Sequence, residues 1–223
     1  MSRSESTESA AAAVEAFARG EPVLIHDAAD REGETDIVYP AGSVTPAAVA
    51  RLRNDAGGLV CVALPDAVAR SLDLPFMQDV LDHPTAADHD LPYGERSSFS
   101  LTVNHRDTFT GITDADRSLT IRELAALAAD PDPDAFGESF RSPGHVHLLR
   151  AAPQLLADRE GHTELGIALA AAADQPPAVV VCEMLDGDTG GARSPSDARA
   201  YAAEHGLHYV EGRALVASLD GHN

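Results

Sequence analysis

The sequence Val23-Leu24-Ile25-His26-Asp27-Ala28-Ala29-Asp30-Arg31-Glu32-Gly33-Glu34-Thr35-Asp36-Ile37-Val38-Tyr39 decides the fold, because two apolar runs enclose a strongly charged segment. The apolar runs predict two short buried strands, over 22–27 and 35–39. Between them, residues 30–36, which we call the acidic loop, carry four carboxylates and one arginine. A loop between buried strands is held in place, and held carboxylates suit a divalent metal or a proton transfer. Taken alone, the loop is also compatible with a plain solvated hairpin turn.

Outward from this loop, predicted strands and helices alternate along the chain. Apolar patterns, together with Gly and Pro at the breaks, predict strands at 59–64, 97–105, 146–149 and 178–185, and helices at 7–19, 45–57, 65–72, 119–129, 163–173 and 194–206. This order favours a mixed α/β or α+β fold. With 223 residues, 44% of them hydrophobic, one domain over 7–223 is expected. Residues 1–6 are rich in Ser and Glu, and we expect them to be disordered.

Residues 75–96 interrupt the alternation. They are rich in Asp, His and Pro and show no periodicity. The segment therefore predicts a long loop, either a lid or an ordinary surface excursion.

The charge balance excludes several classes of function. The net charge is −20, and all 16 positive side chains are arginines, since the chain contains no lysine. A basic nucleic-acid-binding face, a Schiff-base lysine and a phosphate-loop lysine are therefore disfavoured or excluded. The acidic, lysine-free composition suggests adaptation to high salt, where repulsion between like charges is screened.

The composition also predicts the compartment. Cys61 and Cys182 lie in apolar runs and are interpreted as free buried thiols of a reducing compartment. The sequence has neither an apolar run long enough for a membrane span nor a signal-like N-terminus. A cytoplasmic protein without a membrane partner is expected.

A second cluster, Arg159-Glu160-Gly161-His162-Thr163, changes the interpretation of the acidic loop. We call it the 159–163 turn. If Thr163 caps a helix, the amides of Gly161, His162 and Thr163 point at one spot beside Arg159, which is a credible phosphate site. A capped helix start is, however, usually structural.

In the acidic loop, Glu32, Glu34 and Asp36 alternate, so an extended backbone projects them to one side. Together with an imidazole, such carboxylates suit Mg²⁺ or Mn²⁺. Two other positions draw notice. His145 follows a Ser-Pro-Gly turn at the start of a predicted strand, and Glu183 ends an apolar run. A hydrogen-bonded structural histidine and a carboxylate emerging into solvent are the plainer interpretations of these two.

Five ordered motifs nevertheless resemble the 3,4-dihydroxy-2-butanone 4-phosphate synthase family of riboflavin biosynthesis. They are Asp30-Arg31-Glu32-Gly33-Glu34-Thr35-Asp36, Gly111-Ile112-Thr113-Asp114-Ala115-Asp116-Arg117, Arg141-Ser142-Pro143-Gly144-His145, Arg159-Glu160-Gly161-His162-Thr163 and Cys182-Glu183. The resemblance runs from about residue 22 to the last predicted helix. The acidic loop lacks the Asn found in many bacterial members, and the chain looks more like an archaeal, salt-adapted form.

The resemblance implies an α+β fold with a mixed sheet in a sandwich flanked by helices, and a homodimer. It also implies conversion of the small sugar phosphate D-ribulose 5-phosphate to 3,4-dihydroxy-2-butanone 4-phosphate and formate, with two Mg²⁺ or Mn²⁺ ions. The implied roles are metal ligation by Glu32 and His162; substrate binding by Arg31, Glu32, Asp36, Arg159, Glu160, Gly161, His162, Thr163 and Glu183; catalysis by His145, Glu183 and Asp36; and a less certain place near the pocket for Asp27, Glu34 and Glu164. No fused GTP cyclohydrolase II domain is expected.

The implied reaction explains this mixture of groups. Enolisation needs a base beside the carbonyl and stabilisation of the enediolate, and the later dehydration, rearrangement and loss of one carbon need further proton transfers. Two other functions stay open on the sequence. A metal-dependent sugar-phosphate isomerase or aldolase would share the first step without releasing formate. A nucleotide- or RNA-binding module of related fold is disfavoured by the acidic charge.

Overall fold

The protein is represented by a computed structural model that describes residues 3–28, 32–86 and 96–220. Within these ranges the helices are α1 (Arg3–Ala18), α2 (Pro46–Asp55), α3 (Asp66–Ser71), α4 (Met77–Val80), α5 (Asp114–Ala129), α6 (Pro133–Ser139), α7 (His162–Ala172), α8 (Pro195–His205) and α9 (Gly212–Asp220). The strands are β1 (Val23–His26), β2 (Thr35–Pro40), β3 (Cys61–Leu64), β4 (Phe99–His105), β5 (Phe140–Arg150), β6 (Val179–Glu183) and β7 (His208–Glu211).

The strands form a seven-stranded mixed sheet in the order β4-β5-β3-β6-β2-β1-β7. The pairs β3–β5 and β1–β7 are parallel, and the other neighbours are antiparallel. The two predicted strands around the acidic loop therefore pair as a hairpin inside the sheet, between β6 and β7. The α+β fold class with a mixed sheet is confirmed.

Strand alternation divides the core into two layers. In β2, Ile37 packs with residues of α2, α5 and α8, whereas Val38 packs on the opposite face with residues of α1, α7 and α9. On the α7 side, Leu165 and Leu169 are fully buried, and each such side chain contributes about 1.5–3 kcal/mol through its burial. This packing fixes α7 across the sheet with its first residue at the end of the acidic loop.

Several boundaries differ from the predictions. Helix α1 begins at Arg3, inside the segment 1–6 that we expected to be disordered. Helix α5 begins at Asp114, because Thr113 Oγ1 accepts the Asp116 N–H at 3.1 Å and caps it. Helices α6 and α9 and strand β7 were not predicted.

The segment 75–96 is only partly described. It contains the short helix α4 and a 3₁₀ turn, Pro84–Ala86, so its first half is more regular than the predicted loop. Residues 87–95 lie outside the described residues, and the lid interpretation remains a prediction. Among the described residues, no helix is both long enough and apolar enough to cross a membrane.

Candidate active site

A cavity of about 390 Å³ opens where β2 and β3 begin, β6 ends and α7 starts. Its wall combines four carboxylates, two groups that can carry positive charge, two thiols, three hydroxyls and an apolar side. The described residues that line it are Glu32, Glu34, Asp36, Glu183, Arg159, His162, Cys61, Cys182, Ser97, Ser98, Thr163, Gly57, Leu59, Phe99, Leu149, Val181 and Leu185.

The carboxylates lie together because of strand register. Asp36 of β2 pairs with Glu183 of β6, and partners in antiparallel strands place their side chains on the same face. Glu34 and Glu32 precede Asp36 at intervals of two and line the same cavity, as the alternation in the acidic loop predicted.

This crowding changes the acidity of the carboxyl groups. Burial raises the pKa of Asp36 to about 6; the nearby His162 opposes the rise, while Glu183, Glu32 and Asp27 add to it. Desolvation and then the charges of Glu183 and Glu32 raise the pKa of Glu34 to about 7. Both groups therefore exchange protons close to neutral pH.

His162 is the first residue of α7 and is 7% exposed. Its Nδ1 lies 3.6 Å from Glu32 Oε2 and 3.6 Å from Asp36 Oδ1. Burial lowers the pKa of His162, but the carboxylates of Asp36, Glu32 and Asp27 outweigh this effect and raise it to about 9. Its Nε2 is buried and has no hydrogen-bond partner among the described residues.

Asp27, a secondary candidate on the sequence, has a central position. It is 2% exposed, and its carboxylate accepts the backbone N–H of Glu34 at 3.0 Å and that of Glu32 at 3.3 Å. It therefore shapes the acidic loop. Asp27, Glu32 and His162 each offer one ligand atom, all within 4.8 Å of one another. Two carboxylate oxygens and one imidazole nitrogen fit a hard divalent cation.

The same cavity also contains groups predicted to hold a phosphate. Arg159 and Thr163 line it, and Arg159 Nη1 donates to Ser98 Oγ at 2.9 Å. Glu164 is fully buried, lies 3.4 Å from the Arg159 guanidinium, and accepts the Ala152 N–H at 2.9 Å. Glu164 therefore holds Arg159 rather than lining the cavity.

One detail of the 159–163 turn was predicted wrongly. Gly161, not Thr163, is the N-cap of α7, without a side-chain cap bond, because the helix begins at His162, two residues earlier than a cap at Thr163 requires. Glu160 and Gly161 precede the helix and are not among the described lining residues.

The remaining two predicted site residues are Arg31 and His145. Arg31 lies outside the described residues. His145 was predicted to begin a strand but lies inside β5. This strand already starts at Phe140, because Phe140 pairs with His105 of β4. His145 is exposed and is not among the described residues that line the cavity.

The sequence reasoning missed most of the apolar wall. Phe99 and Leu149 line the cavity, and so do Cys61 and Cys182. The thiols are free and buried, as predicted, and burial raises the pKa of Cys182 to about 12. The only available signal was their place in apolar runs, which does not reveal which sheet face a residue occupies.

Comparison with known proteins identifies the family of the chain. The family model described as 3,4-dihydroxy-2-butanone 4-phosphate synthase matches residues 11–218. Proteins of that name from Archaeoglobus fulgidus and Methanothermobacter thermautotrophicus are 51% and 46% identical to the chain; the alignments cover 90% and 92% of it and 90% and 93% of the relatives. A crystal structure of a 3,4-dihydroxy-2-butanone 4-phosphate synthase in complex with two magnesium ions superposes with a TM-score of 0.81 at 32% identity, covering 95% of this chain and 96% of that one. The chain belongs to the 3,4-dihydroxy-2-butanone 4-phosphate synthase family.

Proposed function

We propose that this protein converts D-ribulose 5-phosphate to 3,4-dihydroxy-2-butanone 4-phosphate and formate in riboflavin biosynthesis. The observation that carries the proposal is the convergence of Glu32, Asp36, Glu183 and His162 on one cavity that Arg159 also lines. A ketose phosphate needs both halves of this cavity. The carboxylates move protons at the sugar, and the arginine side receives the phosphate.

The metal site in this proposal consists of Glu32, His162 and Asp27, which adds a ligand to the pair implied by the sequence. Mg²⁺ or Mn²⁺ suits the oxygen-rich ligand set, and a related synthase structure is in complex with two magnesium ions, so we propose two ions at the site. When bound, the metal stabilises the negative charge of an enediolate. The protein groups hold the metal and orient the sugar beside it.

Proton transfer is assigned to the carboxyl groups that line the cavity where β2 begins and β6 ends. Asp36 and Glu34 have pKa values of about 6 and 7, so each is present in both protonation states under physiological conditions. Glu183 pairs with Asp36 in register, and we assign it to proton transfer at the sugar.

The phosphate is assigned to Arg159 and the start of α7. Arg159 is held by Ser98 and Glu164, so its guanidinium is positioned before the substrate arrives. The backbone amides at the N-terminus of α7 and the helix dipole add attraction for an anion. Thr163 contributes a hydroxyl to the same wall.

We also propose that the enzyme is a homodimer in which His145 reaches the cavity of a second copy. Two observations support this arrangement. His145 is exposed and does not line the described cavity of its own chain. Large apolar side chains are also exposed, Phe109 at 93% and Ile112 at 50%, together with Leu59 at 50% and Phe99 at 39%, which line the cavity, and exposed apolar side chains often contact a partner.

The test of the function is the measurement of formate from ribulose 5-phosphate, with and without Mg²⁺. Formate that appears only with the metal supports the proposal. A product formed without formate indicates the isomerase or aldolase chemistry, and no reaction with either product contradicts a ketose-phosphate enzyme.

Mixing two inactive variants, His145→Ala and Glu32→Gln, tests the dimer. If His145 acts across the interface, mixed dimers contain one cavity with both residues intact, and part of the activity returns. If mixing after subunit exchange restores nothing, His145 acts within its own chain or not at all.

A further inference from the structure

One family motif, Gly111–Arg117, has no role in the cavity described above, since no described lining residue comes from it. It packs instead against Asn104 of β4, which is 5% exposed. Gly111 has a φ of +87°, and a Cβ there would lie 2.1 Å from Asn104 Nδ2. The segment therefore presses directly on the Asn104 amide, which only glycine permits.

Asn104 lies opposite an irregular part of β5. Val103 pairs with Val146 and Asn104 pairs with Arg141, so consecutive residues of β4 have partners five residues apart. Residues 142–145 bulge out of the ladder between them, and we call them the 142–145 bulge. A Cβ at Gly144 would lie 2.0 Å from the Val103 carbonyl carbon, so the bulge rests tightly on β4.

The bulge is held by side chains because its backbone has left the ladder. Thr102 Oγ1 accepts the Gly144 N–H at 3.1 Å, and Asn104 Oδ1 accepts the His145 N–H at 2.8 Å. Asn104 also reaches the ring of His145, with Nδ2 3.2 Å from Nδ1. Asn104 Oδ1 lies slightly farther from His145 Nδ1, at 3.3 Å, and it also accepts the shorter hydrogen bond from the His145 backbone N–H.

This geometry decides the state of the imidazole. A backbone N–H can only donate, so it fixes Oδ1 as the atom that faces the His145 backbone. The NH₂ group is the nearer neighbour of Nδ1, at 3.2 Å against 3.3 Å for Oδ1, and its donation to Nδ1 places the proton of the neutral ring on Nε2. Nε2 is the ring nitrogen that remains available for a substrate.

The Gly111 segment is itself held in place. The Asp116 carboxylate accepts the Gly111 N–H at 2.9 Å, and Thr113 caps the same helix turn through the Asp116 N–H at 3.1 Å. The first turn of α5 thus fixes Gly111, and Gly111 limits where the Asn104 amide can lie.

We propose that Asn104 is a positioning residue for His145, and that the Gly111–Arg117 segment serves to hold Asn104. Asn104 fixes both the backbone of the 142–145 bulge and the tautomer of the ring, so that Nε2–H faces the substrate. The catalytic part of this inference rests on the role proposed for His145. The tautomer part does not rest on that role, because it is argued from the contacts between Asn104 and His145.

The experiment is ¹⁵N NMR of the His145 ring, with its signals assigned by their loss in His145→Gln. In the wild-type protein, the neutral ring should carry its proton on Nε2. Asn104→Asp keeps the backbone acceptor but replaces the NH₂ donor by an acceptor, so the proton should move to Nδ1. Asn104→Leu should give a mixture of tautomers. Thr102→Val is the matched control, because it removes a bulge contact that does not touch the ring and should leave the tautomer unchanged.

Turnover provides the second readout. Asn104→Leu should lower kcat by about 100-fold, with KM and the affinity for Mg²⁺ unchanged, since neither the cavity nor the metal ligands are altered. A proton on Nδ1 in the wild-type ring, or the same tautomer in wild type and Asn104→Asp, would overturn the proposal. If Asn104→Leu does not fold, Asn104→Asp alone decides the tautomer. Absence of formate from the wild-type enzyme would refute the proposed function, whereas the NMR result would still decide the role of Asn104.

Discussion

Binding of Mg²⁺ to Asp27, Glu32 and His162 should release a proton at pH 7, and the affinity should rise with pH. Neighbouring carboxylates raise the pKa of His162 to about 9, so about 99% of the imidazole is protonated at pH 7 without metal. An imidazolium has no lone pair for a metal, and one proton must leave. Raising the pH removes that competing proton, so Kd should fall about tenfold per pH unit between 7 and 9.

Isothermal titration with Mg²⁺ in two buffers of different ionisation enthalpy measures the protons released. Glu34, with a pKa of about 7, adds a fraction of a proton in the wild type, so Glu34→Gln is the control and should release close to one. His162→Gln should bind far more weakly and lose the dependence on pH. Equal Kd values at pH 7 and pH 8, with no proton released by the wild type or by Glu34→Gln, would refute ligation by His162.

Four further outcomes are expected. Glu32→Gln should weaken Mg²⁺ binding by at least about 100-fold and abolish formate production, whereas Glu204→Gln, on the exposed surface of α8, should change neither in the same assays. Glu183→Gln should retain metal and substrate binding but lower formate production by about 100-fold or more; normal turnover with weak binding would contradict its assignment. Leu165→Ala, at a fully buried site of α7, should lower the free energy of unfolding by about 2–5 kcal/mol, measured by urea denaturation, and a smaller loss would contradict the packing that fixes α7. Molar KCl should raise the thermal midpoint, because it screens the repulsion from a net charge of −20; an unchanged or lower midpoint would contradict salt adaptation.

Local pattern predicted the elements better than their ends. The apolar runs around the acidic loop form strands whose residues are all buried, because both strands lie inside the sheet and are covered on both faces. The start of β5 could not be predicted, since residues 140–145 contain Pro and Gly and lack alternation. Pairing with β4 extends that strand, and such pairing depends on a segment about 40 residues away. This explains why His145 lies in a bulge inside a strand and not at its beginning.

The candidate site was predictable in its residue types but not in its contacts. Alternation placed Glu32, Glu34 and Asp36 on one side, and this needed only an extended backbone. The pairing of Asp36 with Glu183 depends on a register between β2 and β6, which no local pattern encodes. The ligand geometry of Asp27 was also hidden, because its carboxylate binds backbone amides of a loop whose path the sequence does not specify.

The buried charges of the site lower the stability of the protein without a bound metal. Asp36 is buried next to three other carboxylates, and its raised pKa reflects the cost of ionising it there. His162 offsets part of this cost, yet its Nε2 is buried without a hydrogen-bond partner among the described residues, which costs further free energy. A fold selected for stability alone would not bury these groups together. A dication held by Asp27, Glu32 and His162 would compensate the carboxylates and use a nitrogen lone pair, so the residues that are unfavourable without a metal would become its ligands.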